Sequence, residues 1–130
     1  MTYKQLLELV DNLNFETRQQ QVKGEDTKIS QKLGKIAKKI EKYVIEYNEQ
    51  VEEIRIDNAS TDDKGVILKD DKGYKFGKDG LKKVMKQVKE LNEKEFNYEK
   101  INVVNPSGLE EFTFLQDWLT GVEFDKEIEL

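Results

Sequence analysis

The sequence predicts an α+β fold, mostly helical, with a long central helix flanked by shorter helices and a small antiparallel β-hairpin or three-stranded sheet. Three observations lead there. One hydrophobic period holds from Ile29 through Leu33, Ile36, Ile40, Tyr43, Val44, Tyr47 and Val51 to Ile54, always in steps of three or four, which is the mark of a single long helix. Two short β-rich runs, Val66–Lys69 and Tyr74–Phe76, flank the turn-forming tetrapeptide Asp70–Gly73. A third run, EFNYEKINVV, carries Phe96, Tyr98, Ile101 and Val103 and ends at Asn105-Pro106.

In chain order, Thr2-Tyr3-Lys4-Gln5 is a capping box, so a helix starts there. Tyr3, Leu6, Leu7, Val10 and Leu13 form its apolar stripe, too short to stand alone. The polar stretch 14–26 then reads as a partly helical connection, with Phe15 and Val22 as isolated anchors and Gly24 as a breaker. The spine spans Thr27–Asn58. Beside its apolar stripe lie Ser30, Gly34 and Ala37, small residues that predict the close approach of another backbone, with the first helix antiparallel along the front half.

After the spine, Asp-Asp-Lys-Gly occurs twice, at Asp62 and Asp70. Neither copy has the alternating oxygen ligands of a calcium loop, whereas Asp opens turns and Gly supplies positive φ, so both read as turns and no metal is expected. Asp79 is the expected N-cap of a third helix with stripe Leu81, Val84, Met85, Val88 and Leu91, ending near Glu95. The run Ile101–Val103 is expected to join the hairpin as a third strand. Ser107-Gly108-Leu109-Glu110 is a second capping box, opening a closing helix with Phe112, Leu115, Trp118 and Leu119 up to Gly121. The tail from Glu123 is read as short and acidic.

A chain of 130 residues with 36% hydrophobic content suits a single domain over residues 1–130, its first 58 residues a helical hairpin and the rest hairpin, helix, strand and helix. Charged residues make up 38% and the net charge is −5, which disfavours bare nucleic acid unless charge is segregated. Cysteine and histidine are both absent, so disulfides, thiolate chemistry and histidine acid–base catalysis are ruled out. No phosphate loop, nucleophile elbow or paired-carboxylate spacing stands out, and the expectation is a non-enzymatic protein without cofactors. No signal-like or membrane-spanning apolar run occurs, so a cytoplasmic, non-secreted product without a membrane partner is expected.

Charge is segregated along the helices. Lys28, Lys32, Lys35, Lys39 and Lys42 form a basic stripe on the front of the spine, while Glu46, Glu49, Glu52 and Glu53 occupy the back. The third helix repeats the order with Lys82, Lys83, Lys86 and Lys89. These stripes could track phosphates, which makes nucleic-acid binding the alternative function, although no base-stacking aromatic lies among them. They are equally explained as solvated faces. The Lys-to-Glu order also suggests an antiparallel homodimer of spines, with Tyr43 and Tyr47 exposed at its centre. The competing reading packs both tyrosines on the chain's own helices. Trp118 and Phe114 are candidate partner-binding aromatics, Phe114 because it falls off the apolar stripe.

The order of leading helix, long spine ending EEIRIDNA, hairpin YKFGKDG, third helix, strand INVV and closing helix GLEEFTFLQDWL resembles a group of small proteins encoded by tailed bacteriophages and prophages. The resemblance covers Thr27 to Val122 and rests on element order and composition. It implies a phage setting, within the host cytosol, and a protein that binds another protein as an assembly component or as an inhibitor of a host or defence protein. It carries over no catalytic residue.

Overall fold

The structure is a computed structural model that describes residues 1–22, 28–105, 119 and 122–126. Among the described residues it is mostly helical, with helices α1 (Tyr3–Val22), α2 (Lys28–Asn58) and α3 (Lys78–Glu93) and four short strands, β1 (Lys69–Asp70), β2 (Gly73–Tyr74), β3 (Ile101–Asn105) and β4 (Val122–Lys126). The chain divides into two compact units, one of residues 1–42 with 95–130 and one of residues 43–94. The helix α2 contributes to both units, up to Lys42 in the first and from Tyr43 in the second. No helix among the described residues is long and apolar enough to cross a membrane.

In the first unit, the capping box closes as its sequence requires. The Thr2 amide donates to Gln5 Oε1 at 2.9 Å and the Gln5 amide donates to Thr2 Oγ1 at 3.2 Å, so two end donors of α1 are satisfied reciprocally. The buried face of α1 is Tyr3, Leu6, Leu9 and Leu13; Leu7 and Val10 are only half-buried, so the core track lies slightly around the helix from the expected stripe. The helix runs on to Val22, so most of the stretch read as a partly helical connection is helix. Glu16, Arg18 and the glutamines are good helix formers, and no breaker precedes Gly24. Phe15 and Val22, expected as anchors, are 51% and 85% exposed.

The front of α2 buries Leu33, Ile36 and Ile40, and the strand residues Ile101 and Val122, with Leu119, are also buried in this unit. Gly34 and Ala37 face solvent, and a Cβ on Gly34 would meet nothing within 4 Å. The expected close approach of a backbone there is absent among the described residues. Beyond α3 the chain returns to the start of α1: the Phe96 amide donates to the Met1 carbonyl at 3.0 Å, and the Tyr3 and Phe96 rings stack with centroids 4.5 Å apart.

The strand β3 does not join the hairpin. It pairs in parallel with β4, in register from Ile101 opposite Val122 to Asn105 opposite Lys126, as a separate two-stranded sheet. The tail expected to be only acidic therefore supplies a strand, and its alternation Val122-Glu123-Phe124-Asp125 was the signal for it. The closing helix expected over 107–121 lies outside the described residues except for Leu119, which is buried.

In the second unit, β1 and β2 pair antiparallel, Lys69 with Tyr74 and Asp70 with Gly73, leaving Asp71-Lys72 as a two-residue turn. The pairing thus reaches further into the expected loop. Both Asp-Asp-Lys-Gly copies are turns. Asp62 Oδ1 accepts from the amides of Lys64 and Val66 at 2.8 and 2.9 Å, Asp70 Oδ1 accepts from Lys72 at 2.8 Å, and the closing glycines Gly65 and Gly73 sit at φ +82° and +112°. The neighbour of the hairpin is the segment after α2. The Leu68 amide donates to the Ser60 carbonyl and the Ser60 amide to the Lys75 carbonyl, each at 2.9 Å, so this segment and not Ile101–Val103 lies beside the hairpin. The N-cap of α3 is Gly77, with no side-chain cap bond, and Asp79 lies in the first turn, where its charge suits the helix dipole.

Candidate partner-binding surface

The back of α2 is held on two sides within its unit. The Tyr47 hydroxyl donates to Asn92 Oδ1 at 2.6 Å, and Asn58 Nδ2 donates to Gln87 Oε1 at 2.9 Å and to the Ile54 carbonyl at 2.8 Å. Residue numbers rise along α2 as they fall along α3, so the two helices run antiparallel. Gly80 makes their junction possible: a Cβ there would lie 2.7 Å from the Asn58 carbonyl oxygen. On another side the Tyr74 hydroxyl donates to Glu52 Oε1, tying the hairpin to α2. This bond, then burial, raises the phenol's pKa above its ordinary value, and the Lys69 ammonium lies 5.3 Å from the ring centroid. Burial likewise raises the pKa of Tyr47, while its bond to Asn92 partly opposes the shift.

With Tyr43 and Tyr47 turned into the core, the helix period turns Ile45, Asn48, Glu49, Glu52, Glu53 and Ile56 outward. Ile45 is 48% exposed and Ile56 is 41% exposed, and the six residues line a shallow depression of about 450 Å³. Eleven residues separate the isoleucines, which places them nearly in line along the helix and about 16 Å apart. Three carboxylates lie between them, a face that is apolar at both ends and acidic in the middle. The outer face of α3 is the opposite in charge. Leu81 and Met85, one turn apart, are 50% and 67% exposed, and Lys82, Lys86 and Lys89 beside them are exposed as well.

The expected site residues fall unevenly on this picture. Tyr43 and Tyr47 are buried, in keeping with packing on the chain's own helices rather than exposure at the centre of a spine pair, and the Tyr47 hydroxyl is engaged by Asn92. Lys35, Lys39 and Lys42 are exposed on the front of α2 and Lys32 is half-buried, all in the first unit. Phe114 and Trp118 lie outside the described residues. Ile45 and Ile56 were missed because they fall off the main stripe of the spine. The available signal was a second, sparse apolar track set among glutamates. Leu81 and Met85 were assigned to the core stripe of α3, of which Val84 and Leu91 are the buried members.

The fold is thus an α+β arrangement, mostly helical, with two separate two-stranded sheets among the described residues. Comparison with protein-family models, with curated proteins and with solved structures finds no significant match.

Proposed function

We propose that the chain is a non-enzymatic protein–protein interaction module, and that the outer face of α2 from Ile45 to Ile56 receives the partner. The observation that carries this reading is the pair of half-exposed isoleucines in line on a helix braced by α3 and the hairpin. Large apolar side chains in a preformed depression bind at little ordering cost, and flanking carboxylates select the charge of what enters. In the phage setting that the sequence resembles, such a module is an assembly component or an inhibitor of a host or defence protein. The lysines exposed on α2 and α3 motivate the rival reading, nucleic-acid binding.

The test is site-specific photo-crosslinking in the producing cell, with the crosslinker at Ile45 or Ile56 and, as a control, at Lys39. A discrete adduct from the isoleucine positions alone, lost on Glu49→Lys with Glu53→Lys, is expected. Equal adducts at all three positions, or none, would overturn the reading. The rival predicts oligonucleotide binding that weakens steeply with salt and with Lys35→Glu plus Lys39→Glu. Turnover of a generic nuclease, phosphatase or glycosidase substrate, abolished by one carboxylate substitution, would overturn the non-enzymatic assignment.

A further inference from the structure

The Tyr47–Asn92 and Asn58–Gln87 bonds and the close approach of Gly80 to Asn58 fix which sides of α2 and α3 meet within their unit. At about 100° per residue, Ile45, Glu49, Glu52 and Ile56 lie within about 40° of the direction opposite Tyr47 on α2. Lys82, Lys86 and Lys89 lie within about 40° of the direction opposite the buried Val84 on α3. The unit thus carries an acidic face on one side and a basic face on the other, each turned away from the contact between the helices. Asp79 and Glu93 stand only near the two ends of the α3 face, and its middle is lysine. Glu52 accepts from Tyr74, whereas the side chains of Glu49, Glu53, Lys82, Lys86 and Lys89 make no ion pair or hydrogen bond among the described residues. Both faces also carry bare apolar side chains, Ile45 and Ile56 within the acidic one and Leu81 and Met85 along one edge of the basic one. Complementary patches on opposite sides cannot both engage in one two-fold pair. They suit a heterologous contact, in which one face of each copy meets the other face of the next.

We propose that the occupant of the α2 depression is α3 of a second copy of this chain, bound head to tail, so that copies add in an open row. Leu81 and Met85, one turn apart and about 6 Å along α3, enter the gap of about 16 Å between Ile45 and Ile56 of the next copy. Lys82, Lys86 and Lys89 meet Glu49 and Glu53 there. The α2 face of the first copy and the α3 face of the last stay open, and growth continues because the two faces look in opposite directions. The proposal rests on the reading of this α2 face as a protein-binding surface and specifies its partner. The lysines at the front of α2 take no part.

Sedimentation equilibrium of the full chain over a range of concentrations tests it, using wild type, Glu49→Lys/Glu53→Lys, Lys82→Glu/Lys86→Glu and an equal mixture of the two variants, at low and high salt. All four substitutions are at exposed positions and leave the Tyr74–Glu52 bond in place, and circular dichroism checks that each variant folds. The average mass of wild type is expected to rise with concentration past two copies without levelling off. High salt or either variant raises the dissociation constant about tenfold or more. The mixture regains the growth, because the reversed α2 face of one variant meets the reversed α3 face of the other and their unaltered faces also match. A wild type monomeric up to its solubility limit overturns the proposal, as does a mass that levels off at two copies. So does a folded Lys82→Glu/Lys86→Glu variant that associates like wild type, or folded variants whose mixture stays monomeric. Where a charge variant fails to fold, Met85→Gln at its exposed position takes its place and is expected to weaken association about threefold or more; unchanged association overturns the proposal. A monomer that still crosslinks to a foreign protein through Ile45 and Ile56 sinks the head-to-tail contact and leaves the module reading standing; loss of both results sinks both.

Discussion

Replacing Gly34 by alanine decides between two descriptions of the α2 surface. Gly34 lies within the helix, more than a turn from its start at Lys28, and is exposed. A Cβ built there meets nothing within 4 Å, and its φ is not positive, so alanine adds no clash and no backbone strain. What remains is the intrinsic difference between the residues. Glycine in a helix interior is about 1 kcal/mol less favourable than alanine, chiefly because its unfolded chain has more freedom to lose. Gly34→Ala should therefore stabilise by about 0.5–1 kcal/mol. With an unfolding entropy of about 2 cal/mol/K per residue over a chain of this length, that raises Tm by roughly 2–4 °C. Thermal melts followed at 222 nm, with urea titration to confirm an unchanged m-value, measure it. A Tm that falls would refute the reasoning. It would mean that a backbone does pack on Ser30, Gly34 and Ala37, as the small-residue run suggests.

Gly80→Ala should act in the opposite direction, because its Cβ would stand 2.7 Å from the Asn58 carbonyl oxygen and force α2 and α3 apart; a loss of about 1–3 kcal/mol in urea unfolding is expected. Tyr47→Phe leaves Asn92 Oδ1 without its 2.6 Å donor and should cost about 1 kcal/mol at neutral pH. Burial raises the Tyr47 pKa in the folded state, so the folded protein holds this proton more tightly than the unfolded chain does. The associated stability is present below the unfolded value near 10 and is lost as pH rises from there through the folded value. Urea midpoints measured across the alkaline range should fall less steeply in Tyr47→Phe than in wild type.

Much of the fold was legible because its signals are local. A capping box needs only residues three apart, and Thr2 and Gln5 exchange their two bonds as the pattern requires. The long period from Ile29 to Ile54 marks a helix whatever lies beside it, and α2 has the expected extent. The two Asp-Asp-Lys-Gly turns close through side-chain bonds no more than four residues apart. The candidate surface was legible only in part. The glutamates of α2 and the lysines of α3 were read as faces, but the exposed isoleucines were not, because a period reports which residues can share a side and not which side is covered.

The sequence by itself determined the mostly helical α+β class, the reach of α2, the start of α1 and the position of the turns, since each depends on backbone propensity and hydrogen bonds over a few residues. Only the tertiary structure decided that β3 pairs in parallel with β4, that Ser60 takes the edge of the hairpin, and that Tyr47 turns inward to Asn92. Those choices depend on partners far apart in the chain. Several partners satisfy the same local pattern, and the packing free energy of the assembled fold selects among them.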